Sequence, residues 1–174
     1  MLFVCADQWL KWLVRHRMSP GESIPLLTGC LHLTYVQNTG AAFGMLRGAG
    51  PLLVLLSVAV IGALAYSLRR DAQIRTNDPS TRATVSGRGL AQDSASQAIA
   101  ARLHWPWRCR QWGTWLILAG ALGNLIDRLW FGHVIDFIDL RVWPVFNLAD
   151  SAISVGIGLL LWGILRHGDS PSAP

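Results

Sequence analysis

The sequence predicts an α-helical integral membrane protein with four transmembrane helices and a small extracytoplasmic segment containing β-structure. Three observations lead there. The 174 residues are 52% hydrophobic and only 14% charged, with a mean hydropathy of +0.36, which leaves too little polar surface for a soluble domain. Residues 48–68 carry no charge between Arg47 and Arg69, close to the roughly 20 positions that a helix needs to cross a bilayer. Two carboxylates, Asp136 in Val134-Ile135-Asp136-Phe137 and Asp150 in Phe146-Asn147-Leu148-Ala149-Asp150, are flanked by apolar residues. An ionisable group in such a place is costly, so each is a candidate for function.

The helices are expected at about 1–17, 51–69, 111–130 and 150–166, within a single membrane domain spanning 1–174. The first is apolar but interrupted by Asp7 and Lys11, and it lacks the basic start and small-residue cleavage site of a secretory signal. Asp7 and Lys11 are four apart in the favourable acid-before-base order. A surface ion pair and a charged pair that orients the edge of a site both fit. Segment 20–48 follows. Its Leu31-His32-Leu33-Thr34-Tyr35-Val36-Gln37 alternates with period two, as a short strand does, and leads into Asn38-Thr39-Gly40-Ala41-Ala42-Phe43-Gly44, whose small residues permit close backbone approach to a substrate.

Residues 71 to about 100 are rich in Ser, Thr, Arg, Asp and Gln, with almost no bulky apolar content, and predict a disordered cytoplasmic spacer. The uncharged runs 111–126 and 151–165 reach spanning length only if Asp127 and Asp150 lie at or inside the membrane boundary. Of the nine Trp residues, Trp105, Trp107, Trp112 and Trp115 cluster where the spacer enters the third helix, with Trp130 and Trp143 near its far end, as in an interfacial aromatic belt.

Charge sets the orientation. Arg69, Arg70, Arg75, Arg82, Arg88, Arg102, Arg108 and Arg110 lie in or beside the spacer, which places it and both termini in the cytoplasm and puts segments 20–48 and 131–149 outside. Lys11, Arg15 and Arg17, at the outer end of the first helix, run against that rule. The net charge of +5 suits an anionic membrane surface rather than nucleic acid, because no basic stripe with interleaved aromatics occurs.

Two carboxylates brought together at low dielectric cannot easily both ionise. One then holds a proton and polarises a carbonyl while the other deprotonates a water, the chemistry of an aspartic protease. Asn124 and Asn147 can hydrogen-bond such a dyad without adding charge. Asp127 is expected to share the helix face of Asn124 and Arg128 to point elsewhere, while Asp139 reads as a solvated loop acid. Asn147 with Asp150 three residues later also fits a helix N-cap, a role that leaves Asp136 unexplained. The five His residues show no metal-ligand spacing and the three Cys residues are isolated, so no metal site or cofactor is expected. A small proton-coupled carrier using intramembrane carboxylates is the alternative; it would spread its acids across the membrane, whereas these gather near one side.

Asp7-Gln8-Trp9-Leu10-Lys11, Asn38-Thr39-Gly40-Ala41-Ala42-Phe43, Gly123-Asn124-Leu125-Ile126-Asp127-Arg128 with Val134-Ile135-Asp136-Phe137, and Phe146-Asn147-Leu148-Ala149-Asp150 occur in that order over nearly the whole chain. This set resembles the lipoprotein signal peptidases (signal peptidase II). The resemblance implies a monomeric aspartic endopeptidase of the bacterial inner membrane, its active site towards the outer face. It would cleave prolipoproteins before a Cys that already bears diacylglycerol. Asp136 and Asp150 match the family's catalytic dyad; Asp7, Lys11, Asn38, Gly40, Asn124, Asp127, Arg128 and Asn147 match its supporting and substrate-binding positions. The chain departs from the family in a short lead-in to Asp7, a long insert at 71–100, and Ala119 where a Gly-Gly pair commonly precedes Gly123.

Overall fold

The computed structural model describes residues 2–40, 50–77 and 94–167. In chain order these form α1 (Leu2–Arg17), β1 (Ser23–Leu27), β2 (Leu31–Asn38), α2 (Gly50–Asn77), α3 (Ser94–Phe131), β3 (Val134–Asp139) and α4 (Leu148–His167). Two of the helices are long and apolar enough to cross a membrane, over Gly50–Gln73 and Leu148–Leu165. On α2, Leu52, Leu55, Leu56 and Val58 are all exposed, a helix apolar on nearly every side that lipid would solvate and water would not. Helix α1 carries Asp7 and Lys11 near its centre and Arg15 and Arg17 in its last turn, and α3 carries Asn124, Asp127 and Arg128 in its last turns.

Helix α3 forms the centre, packing most extensively on α4 and also on α2 and α1. Glycine makes the α3–α4 approach possible. A Cβ at Gly113 would lie 2.6 Å from the carbonyl oxygen of Gly156, and one at Gly156 would lie 2.7 Å from that of Gly113. A Cβ at Gly120 would run into the carbonyl oxygen of Ala149. Small residues of this kind let helix backbones meet where lipid supplies no hydrophobic drive.

Three of the four described helices, α2, α3 and α4, extend beyond the expected bounds. Helix α2 continues to Asn77 and α3 begins at Ser94, so both ends of the 71–100 segment are helical and not a disordered spacer throughout; residues 78–93 lie outside the described residues. Asp71 and Arg110, just outside the expected helix bounds at 69 and 111, form an ion pair at 2.8 Å between α2 and α3. The expected strand at 31–37 is present as β2. Beside it stand β1, an edge strand that tolerates Pro25, and β3, giving an antiparallel sheet of order β1-β2-β3. Pairing of β2 with β3 sets Val36 opposite Asp136 and Asn38 opposite Val134, with an irregularity between Leu33 and Val36. The sheet rests on the end of α1, where Val14 and Met18 pack with Tyr35, Ile135 and Phe137.

Candidate active site

Strand β3 divides its side chains between two surroundings. Ile135 and Phe137 enter the core under the sheet, while Val134 and Asp136 line an open cavity of about 650 Å³. Asp150 lines the same cavity from the first turn of α4, with Asn38, Gly40, Asn124 and Arg128 around it. The fold therefore brings the two sequence-predicted carboxylates to one space.

Three asparagines hold the pair. Asn38 Nδ2 donates to Asp136 Oδ2 at 3.0 Å and Asn147 Nδ2 donates to Asp136 Oδ1 at 2.7 Å. Asn124 Nδ2 donates to Asp150 Oδ1 at 2.7 Å. Asn147 also caps α4: its Oδ1 accepts the Asp150 N–H at 2.9 Å, and its own N–H donates to Asp150 Oδ2 at 3.3 Å. Capping and site-building thus coincide in one residue. Gly40 N–H donates to Asn38 Oδ1 at 3.0 Å, which fixes the Asn38 amide with its donor end towards Asp136. The stretch Ala41-Ala42-Phe43-Gly44 lies outside the described residues.

Burial pushes the Asp136 carboxyl up to about 7, and the neighbouring charge of Asp150 pushes in the same direction; hydrogen bonds from Asn38 and Asn147 oppose both. Asp136 is 2% exposed, so it keeps its proton into the neutral range.

Beneath the dyad lies an ionic cluster. Lys11 Nζ contacts Asp7 Oδ2 at 2.8 Å, Asp127 Oδ2 at 2.9 Å and Asn124 Oδ1 at 3.0 Å, so its three protons each have a partner. All three charged groups are essentially buried, which excludes the surface-pair reading of Asp7 and Lys11. Asp7 Oδ1 accepts the Ala149 N–H at 2.9 Å, and Asp127 Oδ2 accepts the Ile135 N–H at 3.1 Å. The cluster thereby ties α1 to α4 and β3, the two elements that carry the dyad.

Several expectations need correction. Arg128 does not point away from Asn124: it lines the dyad cavity and donates to the Asn124 carbonyl at 3.4 Å, whereas Asp127 turns towards Lys11. Positions i+3 and i+4 both flank residue i on a helix but diverge by about 100° from each other, so each serves a different neighbour. Asp139 is not a solvated loop acid. It ends β3, is 6% exposed, and accepts hydrogen bonds from the Thr34 hydroxyl and the Arg141 N–H, both at 2.8 Å. The Arg141 backbone donor, followed by Thr34, holds its carboxyl below the usual range. Trp143, expected in an aromatic belt, lines the dyad cavity; Trp105 and Trp107 lie outside the described side chains.

Gln8 had no assigned role. Its Nε2 lies 3.0 Å from Asp127 Oδ1, 3.1 Å from the Gly123 carbonyl oxygen and 3.3 Å from Asp7 Oδ2. Its position beside Asp7 and three before Lys11 was the available signal. Ile153 and Ser154, one turn after Asp150, complete that side of the cavity, as i+3 and i+4 spacing from Asp150 requires.

Residues 1–87 and 95–166 match the family model described as Signal peptidase (SPase) II. The lipoprotein signal peptidase of Halothermothrix orenii is 40% identical over 97% of this chain and 96% of its own length. That of Syntrophomonas wolfei is 41% identical over 97% of this chain and 91% of its own. A solved structure described as a bacterial membrane enzyme superposes with a TM-score of 0.76 at 27% identity, covering 99% of this chain and 88% of that one. The proton-carrier alternative draws no support from these likenesses.

Proposed function

The chain belongs to the signal peptidase II family, and from that premise we propose that it removes the signal peptide from diacylglyceryl-modified prolipoproteins as a membrane aspartic endopeptidase. The observation that carries this reading is the convergence of Asp136 and Asp150 on one open cavity, each held by asparagine donors.

In this mechanism Asp150 takes a proton from a water as the water oxygen bonds to the scissile carbonyl carbon. Asp136, which retains its proton to about 7, gives that proton to the carbonyl oxygen. Collapse of the tetrahedral intermediate returns the proton to Asp136 and breaks the C–N bond. The leaving amine, the new N-terminus at the lipidated Cys, takes its proton from Asp150. Two carboxyls thus supply one acid and one base and end as they began. Arg128 at the cavity wall and Gly40 at its rim are placed to orient the substrate, the first by charge and the second by leaving the backbone accessible.

The four helices then span the membrane, with the α2–α3 connection and both termini in the cytoplasm and the sheet outside. The dyad lies towards the outer face, and the protein works as a monomer. Conversion of a diacylglyceryl-modified precursor to its mature form by purified protein in liposomes tests the activity. Absence of conversion by a correctly inserted protein would remove the reading.

A further inference from the structure

Beyond the dyad cavity a second one, of about 390 Å³, opens beside the end of α1. Trp12 and Arg15 of α1 and Trp130 and Phe131 of α3 form its walls, and the Lys11–Asp127 ion pair forms its floor. The two cavities share no lining residue, because β3 and the end of α3 stand between them as a wall.

The charge at this opening is unbalanced. Lys11 is matched by Asp7 and Asp127, but Arg15 is exposed and has no carboxylate within ion-pair distance among the described residues. Its guanidinium carbon stands 3.9 Å from the Phe131 ring centroid, a cation–π contact. An arginine held in this way presents a bidentate donor set suited to phosphate. Trp12 is 52% exposed and Trp130 75% exposed, side chains that settle at the headgroup level of a bilayer. His16 and Arg17 add to a basic last turn at the outward end of α1, where the usual distribution of positive charge gives no reason for it.

We propose that this second cavity binds an anionic phospholipid, with the lipid phosphate on Arg15 and the upper part of an acyl chain between Trp12 and Trp130. The site rests on the proposed placement of α1 in the bilayer and is independent of the peptidase chemistry. A zwitterionic lipid offers the same phosphate, but its ammonium offsets the attraction; inorganic phosphate lacks the chain that the tryptophans would cover.

The test is native mass spectrometry of the whole protein equilibrated with equal amounts of phosphatidylglycerol and phosphatidylcholine. The wild type is expected to retain one phosphatidylglycerol with a preference of about fivefold, the size of effect that one basic residue gives at an anionic surface. Arg15→Gln should bring the two lipids to parity, Arg15→Lys should keep part of the preference, and Arg69→Gln on α2 should keep all of it. An undiminished preference in Arg15→Gln would overturn the site, as would displacement of the lipid by millimolar inorganic phosphate. Equal retention of both lipids by the wild type would overturn the site alone. Retention of neither would overturn it together with the placement of α1.

Discussion

Asn147 donates to Asp136 at 2.7 Å while its side-chain oxygen caps the helix that begins with Asp150. One amide therefore fixes the distance between a strand and a helix terminus. Any change that moves the start of α4 also moves the hydrogen-bond partner of the acid on β3, and the two carboxyl groups cannot drift independently.

Asp136→Asn and Asp150→Asn should each lower precursor conversion by at least about a thousandfold, and the double variant should be no worse than either single one, because the dyad acts as a unit. Asp139→Asn should retain most of the activity, since Asp139 faces Thr34 and Arg141 and does not line the cavity. Conversion measured in liposomes with the four variants checks this; turnover by either single dyad variant would refute the mechanism.

Cleavage should fall as pH rises above about 7, by about tenfold per unit, as Asp136 loses the proton it must donate. Stability follows the same group. A carboxyl whose folded value lies above its unfolded one contributes fully below the unfolded value, and that contribution is lost as pH rises towards about 7. Asp136→Asn should therefore flatten the decline in melting temperature between about pH 4 and pH 7, which a series of thermal melts would read directly.

Lys11→Met leaves Asp7 and Asp127 buried without their cation, at a cost of about 3–5 kcal/mol, and the protein should fail to accumulate. Combining it with Asp7→Asn and Asp127→Asn removes the stranded charges and should restore accumulation in the membrane. Equal loss in the single and triple variants would show that the cluster's charge balance is not what matters.

Gly120→Ala should separate α3 from α4, because its Cβ meets the Ala149 carbonyl, and should lower both stability and activity. Gly62→Ala on α2 meets nothing within 4 Å and should stabilise by up to about 1 kcal/mol through helix propensity. Unfolding of the two variants in the same detergent compares them.

Much of the site could be read from local spacing. The Asp7–Lys11 pair, the Asn147 cap before Asp150 and the alternating strand β2 each follow from neighbours within four residues. Strand β3 could not be read in the same way: Val134-Ile135-Asp136-Phe137-Ile138-Asp139 is covered on both faces, so the period-two contrast of a half-buried strand is missing. The recruitment of Asp127 by Lys11 and the turning of Arg128 into the dyad cavity depend on the α1–α3 contact. The continuation of α2 past Arg69 and the start of α3 before Gln111 could not be read locally, because Asp71 and Arg110 pair with each other across the two helices.

The alternation along β3 makes chain length a stricter requirement than residue identity just before it. Deleting one residue at Gly132 or His133 would offer Phe137 to the dyad cavity and turn Asp136 into the apolar packing under the sheet, unless the Asp127 bond to the Ile135 N–H held the strand in place. Substitutions at His133 should be forgiven, those at Gly132 are strained by its positive φ of 73°, and changes in the length of the turn should not be tolerated. In a set of related chains, gaps are then expected to cluster in the α2–α3 connection and to be absent between Asp127 and Asp136.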